Sequence, residues 1–71
     1  MPKYEIGVFN QIVRDRMKEG ETHRFLKDEW AETHYFDVNA SSEEAARRKI
    51  TDRYSESEGY VIVSVELQTD D

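Results

Sequence analysis

Ala31-Glu32-Thr33-His34-Tyr35-Phe36-Asp37-Val38-Asn39-Ala40-Ser41-Ser42-Glu43-Glu44 changes from a strand pattern to a helix start within a few residues. In the first part, around Ala31–Val38, His34, Phe36 and Val38 share one face. Thr33, Tyr35 and Asp37 share the other, which is the period of a pleated strand. Ser41-x-x-Glu44 then has the form of a capping box. Its serine hydroxyl takes an orphan backbone N–H, and its glutamate reaches back to the cap. The helix begins at Ser41 or Ser42 and runs to about Tyr54. Ala46, Ile50 and Tyr54 recur every four residues as its buried stripe, and small Ala45 and Ala46 permit close approach to a sheet. Glu43 with Arg47 and Glu44 with Arg48 are i,i+4 pairs worth about 0.2–0.5 kcal/mol each.

Downstream, Ser55–Gly59 breaks the helix. Gly59-Tyr60-Val61-Ile62-Val63-Ser64-Val65-Glu66-Leu67 follows as a strand. Strict alternation puts Val61, Val63, Val65 and Leu67 on one face and Tyr60, Ile62, Ser64 and Glu66 on the other. Gln68–Asp71 reads as a frayed acidic tail. Upstream, Lys3–Phe9 alternates as well, with Tyr4, Ile6 and Val8 on one side and Glu5, Gly7 and Phe9 on the other. Asn10 is a good N-cap for a short helix over Gln11–Glu19 with Ile12, Val13 and Met17 as its apolar residues. Gly20 is its left-handed terminator. The competing reading continues the first strand through Phe9–Arg14. Glu21–Glu29 has no pattern; Phe25 and Leu26 are its anchors, tucked under a sheet edge. Trp30 opens the second strand as a core residue, since it carries the largest apolar area available.

These segments predict one α+β domain over residues 1–71. It has a three-stranded mixed β-sheet with one or two α-helices packed on one face, in β-α-β-α-β order. Strand–helix–strand implies a parallel pair, and the first strand belongs in the middle, because Glu21–Glu29 is long enough for an antiparallel return. The expected core is Tyr4, Ile6, Val8, Ile12, Val13, Met17, Trp30, Phe36, Val38, Ala46, Ile50, Val61, Val63 and Val65. The uncovered face then shows Phe9, Tyr35, Tyr60 and Ile62, an apolar cluster of the kind that marks an interface.

The chain has 71 residues, with sixteen acids against ten bases, for a net charge of −6. That field repels nucleic acid and anionic membrane and favours basic partners. There is no cysteine, which excludes disulfides and thiolate metal sites. The sequence shows no signal-peptide pattern and no stretch long enough to span a bilayer. The expectation is a cytoplasmic protein.

No constellation singles out catalysis. His23 and His34 are eleven apart and fit no metal-ligand spacing. Arg14 and Arg16 are two apart, off a common helix face, and have no glycine-rich phosphate loop beside them. Arg47-Arg48-Lys49 fans around its helix as a solvated face. Asp28-Glu29-Trp30-Ala31-Glu32 has two readings: a receptor for a basic peptide or an arginine, and a capped turn that seats Trp30. The second is preferred on packing need. The carboxylates are too scattered to define a general acid and base. The chain is therefore read as no enzyme, with no cofactor and no metal.

Three phrases carry a family likeness: Gly7-Val8-Phe9-Asn10 with Val13-Arg14, then Trp30-Ala31-Glu32-Thr33-His34-Tyr35, then Gly59-Tyr60-Val61-Ile62. Together they resemble small proteins encoded by tailed bacteriophages, particularly those of marine cyanobacteria. The resemblance implies a viral accessory protein in a bacterial host cytoplasm and assigns no functional residue. The first functional expectation is a non-enzymatic interaction module that binds a protein, a second copy of itself included. Its contact residues would be Phe9, Tyr35, Tyr60, Ile62, Asp28 and Glu29. Two further readings follow. One is an acidic mimic of nucleic acid. The other is a single-strand binder stacking bases on Phe9, Tyr35 and Tyr60, which the net charge opposes.

Overall fold

Lys3–Asn10 forms β1, and Gln11–Lys18 forms α1 directly after it. The structure is a computed structural model that describes residues 1–22 and 26–69. After a single 3-10 turn at Asp28–Ala31 come β2 (His34–Asn39), α2 (Glu43–Arg53), a second 3-10 turn at Glu56–Glu58, and β3 (Tyr60–Thr69). The sheet order is β2-β1-β3. This is the expected α+β fold, with the first strand central. Both hydrogen-bonded pairs are antiparallel, so the sheet is not mixed. β2 and β3 do run parallel to each other, as the crossover through α2 demands, but β1 fills the space between them.

Capping chemistry sets the helix limits. The Asn10 side chain accepts from the Val13 amide at 3.0 Å. At the other end of α1, Gly20 has φ +77°. Its amide bonds to the Met17 carbonyl at 3.0 Å, and the Glu21 amide to Arg16 at 2.8 Å, which is the Schellman arrangement. Phe9–Arg14 therefore does not continue the strand. The Ser42 hydroxyl accepts from the Ala45 amide at 3.1 Å, so Ser42, and not Ser41, is the cap of α2. The expected Ser41-x-x-Glu44 box is displaced by one residue, because Ala45 takes the third helical position and Glu44 turns to Arg48. Glu43–Arg47 and Glu44–Arg48 pair at 3.6 and 3.8 Å. Lys49 Nζ ties α2 to β2 through the Asn39 carbonyl at 2.5 Å.

The core lies between the sheet and α2. Ile6 and Val8 from β1 meet Ala46 and Ile50 from α2, with Ala40 and Tyr60 completing the cluster. Tyr4, Leu26, Trp30, Phe36, Val38, Tyr54, Ile62 and Val65 pack around it, partly buried. Trp30 is the hub of the aromatic side of this core, with ring centroids 4.5 Å from His34, 5.4 Å from Tyr54 and 5.1 Å from Tyr60. It sits in the 3-10 turn and does not open β2, which starts four residues later at His34. Asp28–Ala31 forms a turn that seats Trp30 against the core, without the side-chain cap expected of it. Leu26 packs on this inner side. Phe25 and His23, on which expectations were also placed, lie outside the described residues.

The alternation expected for β3 fails at one residue. Ser64 stands opposite Gly7 and Ile62 opposite Val8, so Val63 is an extra residue, a β-bulge. A second register shift separates Leu67, opposite Tyr4, from Thr69, opposite Lys3. The bulge at Val63 reverses the side-chain parity of everything before it. Tyr60 and Ile62 therefore turn to the inner face, together with Val65. Val61 and Val63 turn outward, 37% and 50% exposed. Four of the expected positions are thereby exchanged: Val61 and Val63 leave the core, and Tyr60 and Ile62 enter it. Ile12 and Met17 are also outside the core, at 37% and 45% exposed. α1 is only eight residues long and meets the body along one line, through fully buried Val13.

Candidate interaction surface

β1 positions the outer face. Glu5, Gly7 and Phe9 point away from α2, and register fixes their neighbours on both sides. Tyr35 and Ser64 flank Gly7; Asp37 and Glu66 flank Glu5. A Cβ on Gly7 would fall 2.8 Å from Ser64 Oγ, 3.1 Å from Thr33 Cγ2 and 3.1 Å from Tyr35 Cε1. Tyr35 therefore lies across the glycine, in space that any other residue would occupy, and it is still 62% exposed. Val61 and Val63 are exposed on the same face, on the far side of β1 from Tyr35.

Of the residues expected to form this surface, Phe9 and Tyr35 do share the outer face. Tyr60 and Ile62 do not, because the bulge turns them into the core. Phe9 is itself buried: the Arg14 guanidinium sits 3.6 Å from its ring centroid. The same guanidinium donates from Nε and Nη2 to the Ala31 carbonyl at 3.0 and 2.8 Å, which joins α1 to the Trp30 turn. Asp28 and Glu29 are exposed in that turn. The Glu29 carbonyl accepts from His34 Nε2 at 2.9 Å, and the other side of His34 packs on Trp30. The stacking platform of Phe9, Tyr35 and Tyr60 is reduced to Tyr35 alone.

Sequence reading missed Val61, Val63 and the acid row Asp37–Glu5–Glu66. Tyr60-Val61-Ile62-Val63 is apolar at every position, so it has no phase of its own. Beyond it, Val65 and Leu67 against Ser64 and Glu66 do carry a phase. Extrapolating that phase backwards across the bulge produced the exchange. The acid row becomes visible only once register is known.

Among the described residues, carboxylates occur on every helix, strand and 3-10 turn, and on α2 they alternate with arginine and lysine. Two open clefts border α2, of about 450 and 480 Å³. Thr51, in the first, donates its hydroxyl to the Arg48 carbonyl at 3.2 Å. The second is lined by Phe36, Val38, Ile50 and Tyr54, with charges of both signs from Asp37, Lys49, Asp52 and Arg53. The Tyr60 phenol is perturbed. Burial, and after it the charge of Glu58 and the neighbouring Tyr54, raises its pKa above 10.0. Among the described residues no helix is long and apolar enough to cross a membrane. No family model, curated protein or solved structure matches the chain.

Proposed function

We propose that this chain is a non-enzymatic protein-interaction module that meets its partner with the outer face of the sheet. The observation that carries the reading is Tyr35: a large aromatic ring held 62% exposed across a glycine, on a face α2 does not cover. Exposed aromatic strips rimmed by charge are where proteins bind other proteins. Beneath this face α2 is capped and Asn10 and Arg14 tie α1 to the body, contacts that preorganise a surface for binding. The likeness to tailed-phage proteins supports an accessory role in a bacterial cytoplasm.

Site-specific photo-cross-linking in the host tests this. A benzoylphenylalanine at Tyr35 or Val63 gives an adduct of one discrete mass, and the same group at Arg48 on α2 gives none. Equal labelling at all three positions, or none at Tyr35 and Val63, defeats the reading.

A further inference from the structure

We infer that the occupant of the outer face is an arginine-bearing segment of a partner protein; this rests on the interaction reading above and adds the partner's chemistry. Glu5 stands directly opposite Asp37 on one side and Glu66 on the other. Like charges in direct cross-strand opposition destabilise a sheet. One cation answers them: Lys3 lies 3.6 Å from Asp37. Among the described residues Glu5 and Glu66 have no ion-pair partner. Two register steps away, on the same face, lies exposed Tyr35. A cation arriving between the two rows gains carboxylates on one side and an aromatic ring on the other.

Guanidinium suits that position better than ammonium. It is planar, weakly hydrated, stacks on rings and forks onto carboxylates. The face already contains this contact within the chain, in Arg14 over Phe9 at 3.6 Å. The alternatives are opposed by the same charges. A second copy brings another net −6 and another acid row against the first. Nucleic acid brings phosphates to three carboxylates.

The test is an amide-shift titration of the whole chain with a peptide of alternating glycine and arginine, beside its lysine and glutamate counterparts. The expected result is shifts at Glu5, Gly7, Tyr35 and Glu66, stronger for arginine than lysine and absent for glutamate. The double variant Glu5→Gln, Glu66→Gln then binds the arginine peptide about tenfold more weakly, the scale of two exposed ion pairs. Tyr35→Ala weakens it separately. Glu43→Gln with Glu44→Gln removes the same charge from α2 and leaves binding unchanged. Scattered shifts, or equal weakening in both double variants, mean attraction by net charge alone and overturn the inference. So does sedimentation as a dimer with the same amides shifting as the protein is concentrated. A discrete Tyr35 adduct in cells without arginine selectivity removes the arginine and keeps the interaction module. Arginine selectivity without an adduct does the reverse.

Discussion

The side-chain amide of Asn10 donates to the backbone carbonyl of Glu58 at 3.0 Å, across 48 residues of chain. The oxygen of the same amide caps α1 through Val13, and the side chain is fully buried. One residue thus closes β1, starts α1 and fixes the turn into β3. The Gln11 amide adds a bond to the Gly59 carbonyl at 2.7 Å. Gly59 has φ +99°, and a Cβ there would meet Ile12 and Asn10 at 2.7–2.8 Å, so the turn admits no side chain. Asn10→Ala loses the cap and leaves two backbone groups unpaired. Urea unfolding is expected to show a loss of about 2–4 kcal/mol, the sum of a cap and an unsatisfied buried group. A loss near zero would mean that the turn holds without it.

Tyr60 and Tyr35 are the same residue type on opposite faces of one sheet, 7% and 62% exposed. Tyr60→Ser is expected to cost about 3–5 kcal/mol, as for a truncated buried aromatic. Tyr35→Ser is expected to stay within about 0.5 kcal/mol, as for surface changes. Thermal or urea denaturation of the two variants side by side checks both. Equal effects would contradict the bulge at Val63.

Deletion of Val63 is a sharper test of that bulge. Removing the unpaired residue leaves Ser64 opposite Gly7 and Ile62 opposite Val8 in a regular ladder, with Tyr60 still inward. The shortened chain is expected to fold with a loss of roughly 1 kcal/mol, well below the 2–5 kcal/mol of a core truncation such as Ile6→Ala. Near-ultraviolet circular dichroism, which reports the packing of Trp30 on Tyr60, should be retained.

The raised Tyr60 phenol makes stability fall at alkaline pH. Below the ordinary value of 10.0 both folded and unfolded chains hold the proton, and the contribution is complete. Above it the unfolded chain gives up the proton first, so unfolding is progressively favoured until the folded phenol also ionises. Urea midpoints taken through this range, with tyrosinate absorbance alongside, should decline more steeply in the parent than in Tyr60→Phe. Glu58→Gln should move the onset of tyrosinate formation to lower pH. Identical slopes in parent and Tyr60→Phe would assign the alkaline loss elsewhere.

Arg14 both covers Phe9 and binds the Ala31 carbonyl. Arg14→Lys loses the fork and the stack, with an expected cost of about 1–2 kcal/mol. Arg14→Ala in addition uncovers Phe9 on the outer face, and binding of a hydrophobic dye should rise. Unchanged dye binding would show that other groups close over the ring.

The helices, their caps and the central place of β1 were legible in the sequence because each rests on local chemistry. Asn10, Gly20 and Ser42 are end signals whose meaning does not depend on the rest of the fold. The stripe of Ala46, Ile50 and Tyr54 is likewise local. The outer face was half legible. Tyr35 and Phe9 follow from simple alternation in short, well-phased strands. Tyr60, Val61, Ile62 and Val63 do not, because a uniformly apolar run leaves a one-residue slip undetermined until the opposite strand is in place. Trp30 was assigned correctly to the core and wrongly to a strand, since a single 3-10 turn has too few residues to impose a period. The burial of Phe9 under Arg14 depends on α1 meeting the Trp30 turn, where Arg14 binds the Ala31 carbonyl, and the residue spacing does not show that.

β1 is central, and one of its two neighbours, β3, lies some fifty residues further along the chain. That separation has a temporal meaning. On the ribosome β1 is made well before β3, and until β3 is made the pairing of β1 with β2 leaves one edge of β1 open. Two strands alone are marginal in water, and a pairing that must wait for distant chain is slow. The interval before Tyr60 closes over Trp30 is therefore when a half-built sheet is exposed to competing strands. Gly7 and the acids of β1 and β2 make that early edge poorly adhesive. The carboxylates placed on the outer face for the finished protein thus also guard the unfinished one.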